Sequence, residues 1–409
     1  MEFRPRLDAW LVGSMLLLLV FGLATVWSAT QYKPSKQPPV LDDAGLSALL
    51  EADPGAGGEQ FIEPLSDRAW KQGVWVLVGL AGMWLLRCVD YRRLNHAGWV
   101  FGSTALALAG LAAAYAVGER HRFLRFAGMG VQPSELAKPV LVLFLAYFIA
   151  QRSRVLNDGR TLAPAAMTLG LLIGGVMIAD LGTAFVMLAT SGAVFLAAGL
   201  QWRHVRTAAV VCALCTVLAA IVPGYRRERT VAFLRELPVS RWLGMAAPAA
   251  GEAHPEPESA DRTGPPRRDV RYQQRQSLLA LASGGLLGVG PANGRQKLGF
   301  LPEADNDFIY AVIGEEWGLI GCLGVLALYL VIWWRCQKLV RAAPDEFGRH
   351  LALGASFLIV FQALVNMSVV VKLLPAKGLP LPLISYGGSS MVATLALFGM
   401  LLSVRERSL

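Results

Sequence analysis

Ten stretches of the chain are predominantly apolar on all sides, not on one face only. They fall at about residues 10–29, 70–86, 97–117, 134–150, 162–179, 183–200, 207–223, 306–334, 350–371 and 385–404. A helix of a soluble domain carries an apolar stripe and returns a polar residue every third or fourth position. These runs do not. A helix needs roughly 20 consecutive apolar residues to cross the hydrocarbon core of a bilayer, and the runs are of that order. The pattern predicts an all-α polytopic membrane protein of about ten transmembrane helices, a single membrane domain over residues 1–409. The first run is span-length and lacks a small-residue cleavage site, so it reads as a membrane helix and not as a cleavable signal peptide.

The polar segments between the runs set the orientation. Cytoplasmic turns of membrane proteins are enriched in Lys and Arg. Alternate segments here carry Arg4 and Arg6; Arg87, Arg92 and Arg93; Arg152, Arg154 and Arg160; Arg203 and Arg206; Arg335, Lys338, Arg341 and Arg349; and Arg405 and Arg407. Both termini are therefore expected inside. Three outer segments stand out. Residues 30–69 form a long first outer loop with five prolines, irregular apart from a short helix around 46–51. Residues 118–133 are short but hold Arg120, His121, Arg122 and Arg125. Residues 224–305 form a large loop between spans 7 and 8, whose Pro-rich insert 246–269 is expected to be disordered. Its flank 225–236 is basic and amphipathic, and 271–287 runs from polar to apolar, suited to lying in the interface.

Composition agrees and narrows the classes. Of 409 residues, 55% are hydrophobic and 16% charged, against about 25% charged in ordinary globular domains. That excludes a soluble multidomain enzyme, a coiled coil and a disordered protein. The net charge is nevertheless +9. The inside turns account for much of it. The excess lies on the large outer loop, at Arg226, Arg227, Arg229, Arg235, Arg241, Arg267, Arg268, Arg271 and Arg275, where it solvates the loop or attracts anionic headgroups. The five cysteines sit in or beside apolar runs and read as packing residues, Cys212 and Cys215 included. The five histidines are scattered, so no histidine metal cluster is expected. The glycines at 284–299 lack the strand–helix setting of a dinucleotide fingerprint.

Charged residues near membrane depth are costly, and they mark function by default. Glu135 and Lys138, in QPSELAKP, share a face at the outer start of the fourth span, as a site or as a local ion pair. Asp180 separates the fifth and sixth spans and suits either a helix cap or a polar site. In LPEADNDFIYAVIGEEWG, Asp307 precedes an apolar run, where partial desolvation raises a carboxyl toward the range useful to a general base. One of Glu315 and Glu316 is expected to face the bundle interior. In LLPAKGLPLPLISYGGSS, Lys377 lies among prolines and glycines that forbid a regular helix. Irregular backbone at that depth lines a cavity or is buried in protein. Carboxylates (Asp307, Glu135, Asp180) beside cations (Arg122, Lys138, Lys377) suit an anionic substrate such as a phosphate-bearing lipid. The residues alone leave open an enzyme, a lipid flippase or transporter, and a non-catalytic scaffold.

The same segments resemble the SEDS family, the group of FtsW, RodA and SpoVE. QPSELAK at 132–138, DLGTA at 180–184, YxxxQSLLALASGGLLGVG at 272–290, FLPEADNDFI at 300–309, GEEWG at 314–318, QALVN at 362–366 and AKGLPLPLISYGGSS at 376–390 look like family motifs in family order. The resemblance implies a peptidoglycan glycosyltransferase of the bacterial cytoplasmic membrane. It would polymerise lipid II at the outer face, for division or elongation, and release undecaprenyl pyrophosphate. It implies a class B penicillin-binding protein, a transpeptidase, as partner, with other divisome or elongasome membrane proteins and no nucleic acid. Carried over motif by motif, the catalytic aspartate falls on Asp307. The substrate-binding residues fall on Lys377, Arg122, Lys138, Glu135, Asp180 and Ser385. A divalent cation, Mg or Mn, is an optional cofactor, with Asp305 and Asp307 as its candidate ligands. The chain departs from the family where His-Thr-Asp becomes Asp305-Asn306-Asp307, where Phe123 follows Arg122 in place of Trp, and where Ala179 precedes Asp180 in place of Pro. Its first outer loop is also longer.

Overall fold

A computed structural model describes residues 8–30, 67–118, 122–126, 129–204, 206–207, 270–297, 301, 303–374 and 378–408. Most of the first outer loop, the predicted seventh span at 207–223, the Pro-rich insert and Lys377 lie outside the described residues.

The chain is helical almost throughout, as its apolar runs dictate. The principal helices are α1 (Ala9–Thr30), α2 (Asp67–Cys88), α3 (Ala97–Val117), α4 (Pro133–Arg152), α5 (Gly159–Ala179), α6 (Leu181–Ala197), α7 (Val270–Gly284), α8 (Ile309–Ala342), α9 (Glu346–Val370) and α10 (Gly388–Arg407). Eight of these are long and apolar enough to cross a membrane. At 17 residues, α6 is shorter, and at about 1.5 Å per residue it reaches about 25 Å. Between α3 and α4 the outer segment folds into a two-stranded antiparallel hairpin, β1 (Leu124–Phe126) against β2 (Met129–Val131). The apolar pattern gave no sign of this hairpin, because three-residue strands are too short to show a period.

Burial sorts the helices. In α4, α9 and α10, 72–78% of the span window is buried, against 22% in α3 and α5. The former make the core of the bundle; the latter expose apolar side chains such as Leu106 and Leu171 around it. Along this core α10 packs on α2, and α9 packs on α8 and α4, while α1 lies along α8.

Ion pairs fix which ends of the helices lie together. Asp8, just before α1, accepts three hydrogen bonds from Arg335 near the end of α8, two from Nε at 3.0 Å and one from NH2 at 2.5 Å. Arg405, near the end of α10, lies 3.8 Å from the same carboxylate. Arg87 at the end of α2 meets Glu406 at 2.5 Å. The start of α1 and the ends of α2, α8 and α10 thus share one face. It carries the basic turns, which the positive-inside rule makes cytoplasmic.

On the opposite face α8 is broken. Gly318 adopts φ 63°, ψ −162° within its 34 residues, and a break leaves helical N–H and C=O groups unpaired. The glycine-rich turn after α7 fills the gap. Val289 and Gly290 donate to the carbonyls of Glu315 and Glu316 at 2.9 and 3.0 Å, and Leu319 and Ile320 donate to Gly285 and Leu286 at 3.0 and 3.2 Å. A Cβ on Gly318 would sit 2.4 Å from the Gly288 nitrogen. Gly284 and Gly288 serve this close approach, since a Cβ on either would run into the α8 backbone.

Glu315 and Glu316 are both buried, not one of them. Glu315 accepts from the Arg295 and Gln296 amides at 2.6 and 3.2 Å. Glu316 takes Lys297 Nζ and Ser28 Oγ, each at 2.6 Å. The two carboxylates bind the turn to α8 and α1.

Candidate functional site

Between α9 and α10 the chain re-enters the bundle as an irregular segment, residues 378–387. Pro380 and Pro382 remove two N–H donors, so no helix forms. Leu379, Leu381, Leu383 and Ile384 are buried, and buried backbone polar groups must find partners. Side chains from neighbouring helices supply them. On α9, Gln362 donates to the Pro380 carbonyl at 2.8 Å and Asn366 to the Leu379 carbonyl at 2.6 Å. On α2, Gln72 donates to the Ser385 carbonyl at 3.1 Å and accepts from the Gly387 amide at 3.2 Å. From α8, Tyr329 donates to the Pro382 carbonyl.

The segment before α8 lies across this one. Three consecutive carbonyls are gripped: that of Asp305 by the Tyr386 amide at 2.9 Å, that of Asn306 by Ser385 Oγ at 2.6 Å, and that of Asp307 by Asn366 Nδ2 at 2.9 Å. The Asp307 side chain is left half-buried and close to the Gly378 backbone. Burial raises its pKa from the usual 3.8 to about 7; Glu303, Asp180 and Asp305 push in the same direction and Arg122 opposes them. A carboxyl that exchanges its proton near neutral pH is suited to general acid–base work.

Arg122 enters from the turn before β1. Its Nε donates to the Ala179 carbonyl at 2.5 Å, at the α5–α6 junction. Arg122 also stands at one end of a largely apolar cleft of about 220 Å³, walled by Leu108, Leu111 and Tyr115 of α3 and by Gly175 and Ile178 of α5. Asp180 caps α6, accepting from the Gly182 and Thr183 amides at 2.9 and 3.3 Å. It reaches Asp307 through its charge.

The remaining candidates have internal partners. Glu135 and Lys138 form a buried ion pair at 2.6 Å, and Lys138 Nζ also donates to Gln362 Oε1 at 2.7 Å. The pair therefore stands behind the re-entrant segment and ties to it through Gln362. Ser385 is buried, and its hydroxyl is engaged twice: it donates to Asn306 and accepts from the Leu381 amide at 2.7 Å. Lys377 lies outside the described residues, next to Gly378. Asp305 is buried and pairs with Arg68 NH1 at 2.6 Å. Among the described residues no group of three or more His, Cys, Asp or Glu side chains is arranged to hold a metal ion. Asp305, one of the two candidate cation ligands, is thus already engaged by Arg68.

Sequence reasoning did not single out Arg68, Gln72, Gln362 and Asn366. Gln362 and Asn366 carried a usable signal: two amides four residues apart on an otherwise apolar helix share one face, and such polar groups seek partners inside the bundle. Arg68 and Gln72 have the same spacing, but they sit at a helix end, where polar residues are ordinary.

Fold and site together define a polytopic membrane protein with a carboxylate-centred polar site at the outer side of its helix bundle. The model of the FtsW, RodA and SpoVE family, described as "Cell cycle protein", matches residues 59–408. The chain is 35% identical over 343 residues to a probable peptidoglycan glycosyltransferase FtsW of Geobacter metallireducens, covering 82% of this chain and 84% of that one. It is 33% identical over 405 residues to a protein of the same description from Trichlorobacter lovleyi, covering 97% and 92%. Among solved structures it resembles a chain of a peptidoglycan synthase complex that coordinates polymerization and crosslinking (TM-score 0.68, 26% identity, 98% of each chain). It also resembles the rod shape determining protein RodA of Thermus thermophilus (TM-score 0.62, 25% identity, 99% and 98%). The chain belongs to the FtsW/RodA/SpoVE family.

Proposed function

We propose that this protein is a peptidoglycan glycosyltransferase that polymerises lipid II at the outer face of the cytoplasmic membrane. Family membership and the names of its relatives support the activity. The observation that carries the chemistry is Asp307: its own carbonyl and those of the two residues before it are each held by a hydrogen bond, and its half-buried carboxyl has a pKa raised to about 7.

In this reading the 4-hydroxyl of the acceptor GlcNAc attacks C1 of the donor MurNAc. Asp307 takes the hydroxyl proton as the new C1–O bond forms. The bond from C1 to the pyrophosphate oxygen breaks, and undecaprenyl pyrophosphate leaves with its electron pair. Arg122, the described cation that opposes the acidic groups around Asp307, and Lys377 neutralise the leaving group. The apolar cleft beside Arg122 suits the adjoining isoprenoid. The capping bonds of Asp180, the buried pairing of Lys138 with Glu135 and the two bonds of Ser385 support holding roles for those residues. The resemblance to a chain of a peptidoglycan synthase complex supports a class B penicillin-binding protein as partner.

Purified protein, its partner and labelled lipid II in detergent, with and without Mg or Mn, test the activity. Glycan polymer is expected from the parental protein and its loss from Asp307→Asn. Polymer at the parental rate from Asp307→Asn rules out Asp307 as the base. Because detergent offers no membrane to cross, polymer formation also separates the enzyme from a flippase.

A further inference from the structure

We propose that Arg68 and Gln72 of α2 and Asn366 of α9 are positioning residues that clamp the Asp307 backbone between two helices; this rests on Asp307 being the base. The three side chains converge on one junction from opposite sides. Arg68 and Gln72 are four residues apart and so share a helix face. Arg68 holds the Asp305 carboxylate at 2.6 Å and lies over the Tyr386 ring, 5.9 Å from its centroid. Gln72 fastens the Ser385 carbonyl and the Gly387 amide on either side of Tyr386, at 3.1 and 3.2 Å. Ser385 and Tyr386 in turn hold the carbonyls of Asn306 and Asp305. From α9, one amide of Asn366 bridges the carbonyls of Asp307 and Leu379, at 2.9 and 2.6 Å.

The clamp restrains the backbone and does not itself engage the Asp307 carboxylate. Its hydrogen bonds and ion pair end on main-chain atoms of 305–307 or 379–387 or on the neighbouring Asp305 carboxylate, and Arg68 also covers the Tyr386 ring; none of these contacts ends on the Asp307 carboxylate. Two segments without regular secondary structure are thereby fixed against each other. Its α2 arm begins directly after the long first outer loop, and the Arg68 side chain is 61% exposed. Gln72 is buried, so Arg68 is the part of that arm open to salt or a bound partner.

Asn366→Asp keeps the size of the side chain and removes its two donors; Arg68→Ala removes the exposed partner of the buried Asp305 carboxylate. Each strands a buried polar group, a carboxyl facing two carbonyl oxygens at 366 and the Asp305 carboxylate at 68, so both are expected to melt below the parent while keeping the parental KM for lipid II, and rates are compared per folded molecule. The kcat is expected to fall by roughly 10²-fold for Asn366→Asp, the scale of an ångström's misplacement, and by about tenfold for Arg68→Ala. Arg68→Lys should recover most of the latter. In an Asp307→Asn background the same changes should cost little further, because they act through Asp307. Melting temperatures that fall while the rate per folded molecule stays parental overturn the proposal, as do additive losses in the Asp307→Asn background. A parental rate for Asp307→Asn itself instead overturns the assignment of the base, and the clamp's catalytic meaning with it.

Discussion

A methyl group on Gly378 would stand 2.6 Å from Oδ2 of Asp307. The re-entrant segment thus passes the acidic side chain at a distance that only glycine allows, and a Cβ there would push the carboxylate aside. Gly378→Ala is expected to leave the melting temperature near parental, because the displaced group is the free end of a side chain. It should lower kcat by roughly 10²-fold. Thermal melts and a lipid II polymerisation assay on the same preparation check both halves.

The raised pKa of Asp307 fixes the sign of two pH effects. A base works deprotonated, so polymerisation should rise with pH through about 7 and level off above it. Stability runs the other way. Between the usual 3.8 and about 7 the unfolded chain has lost a proton that the folded chain keeps, so this group lowers stability as pH rises through that window. Asp307→Asn should therefore melt higher than the parent near pH 8 while losing activity. Melts of both proteins at pH 5 and pH 8 give the comparison.

Asp180 combines two roles that one substitution can separate. Asparagine caps helices about as well as aspartate, so Asp180→Asn should keep α6 intact while removing a charge that raises the Asp307 pKa. The acid limb of the pH–rate profile should move to lower pH. Asp180→Ala loses the cap as well and should cost about 1 kcal/mol of stability.

The buried pair of Glu135 and Lys138 predicts asymmetric mutational costs. Removing one partner strands a buried charge, at about 3–5 kcal/mol, so Lys138→Met alone should melt far below the parent. The double change Glu135→Leu with Lys138→Met should recover much of that loss. It should not recover full activity, because the bond from Lys138 to Gln362 behind the re-entrant segment is gone. Paired melts and rates test this.

At Gly318, where φ is +63° and the Gly288 nitrogen would lie 2.4 Å from a Cβ, Gly318→Ala should cost about 1–3 kcal/mol in backbone strain alone. It should also expose the turn at 284–290 to protease. Limited proteolysis with mass mapping reads the second effect.

How much of this was legible in the sequence follows from which forces act locally. The spans, their orientation and the helical class came from the chain itself. Roughly 20 apolar residues in a row have one stable fate in a bilayer, and basic turns orient themselves without help from distant residues. Asp307 was visible for the same reason, as a carboxylate at the edge of an apolar run. The partners of Glu135, Lys138 and Ser385 were not. Each could face a ligand or the interior, and that choice depends on Gln362, Asn306 and Leu381, which approach only when the bundle closes. Arg68 and Asp305, 237 positions apart, and Lys297, Glu316 and Ser28, drawn from three segments, share nothing along the sequence. Hydrophobicity and charge decide which segments cross the membrane and in which direction; only tertiary packing decides which buried polar atom meets which, because that pairing is settled by long-range contacts the chain cannot encode locally.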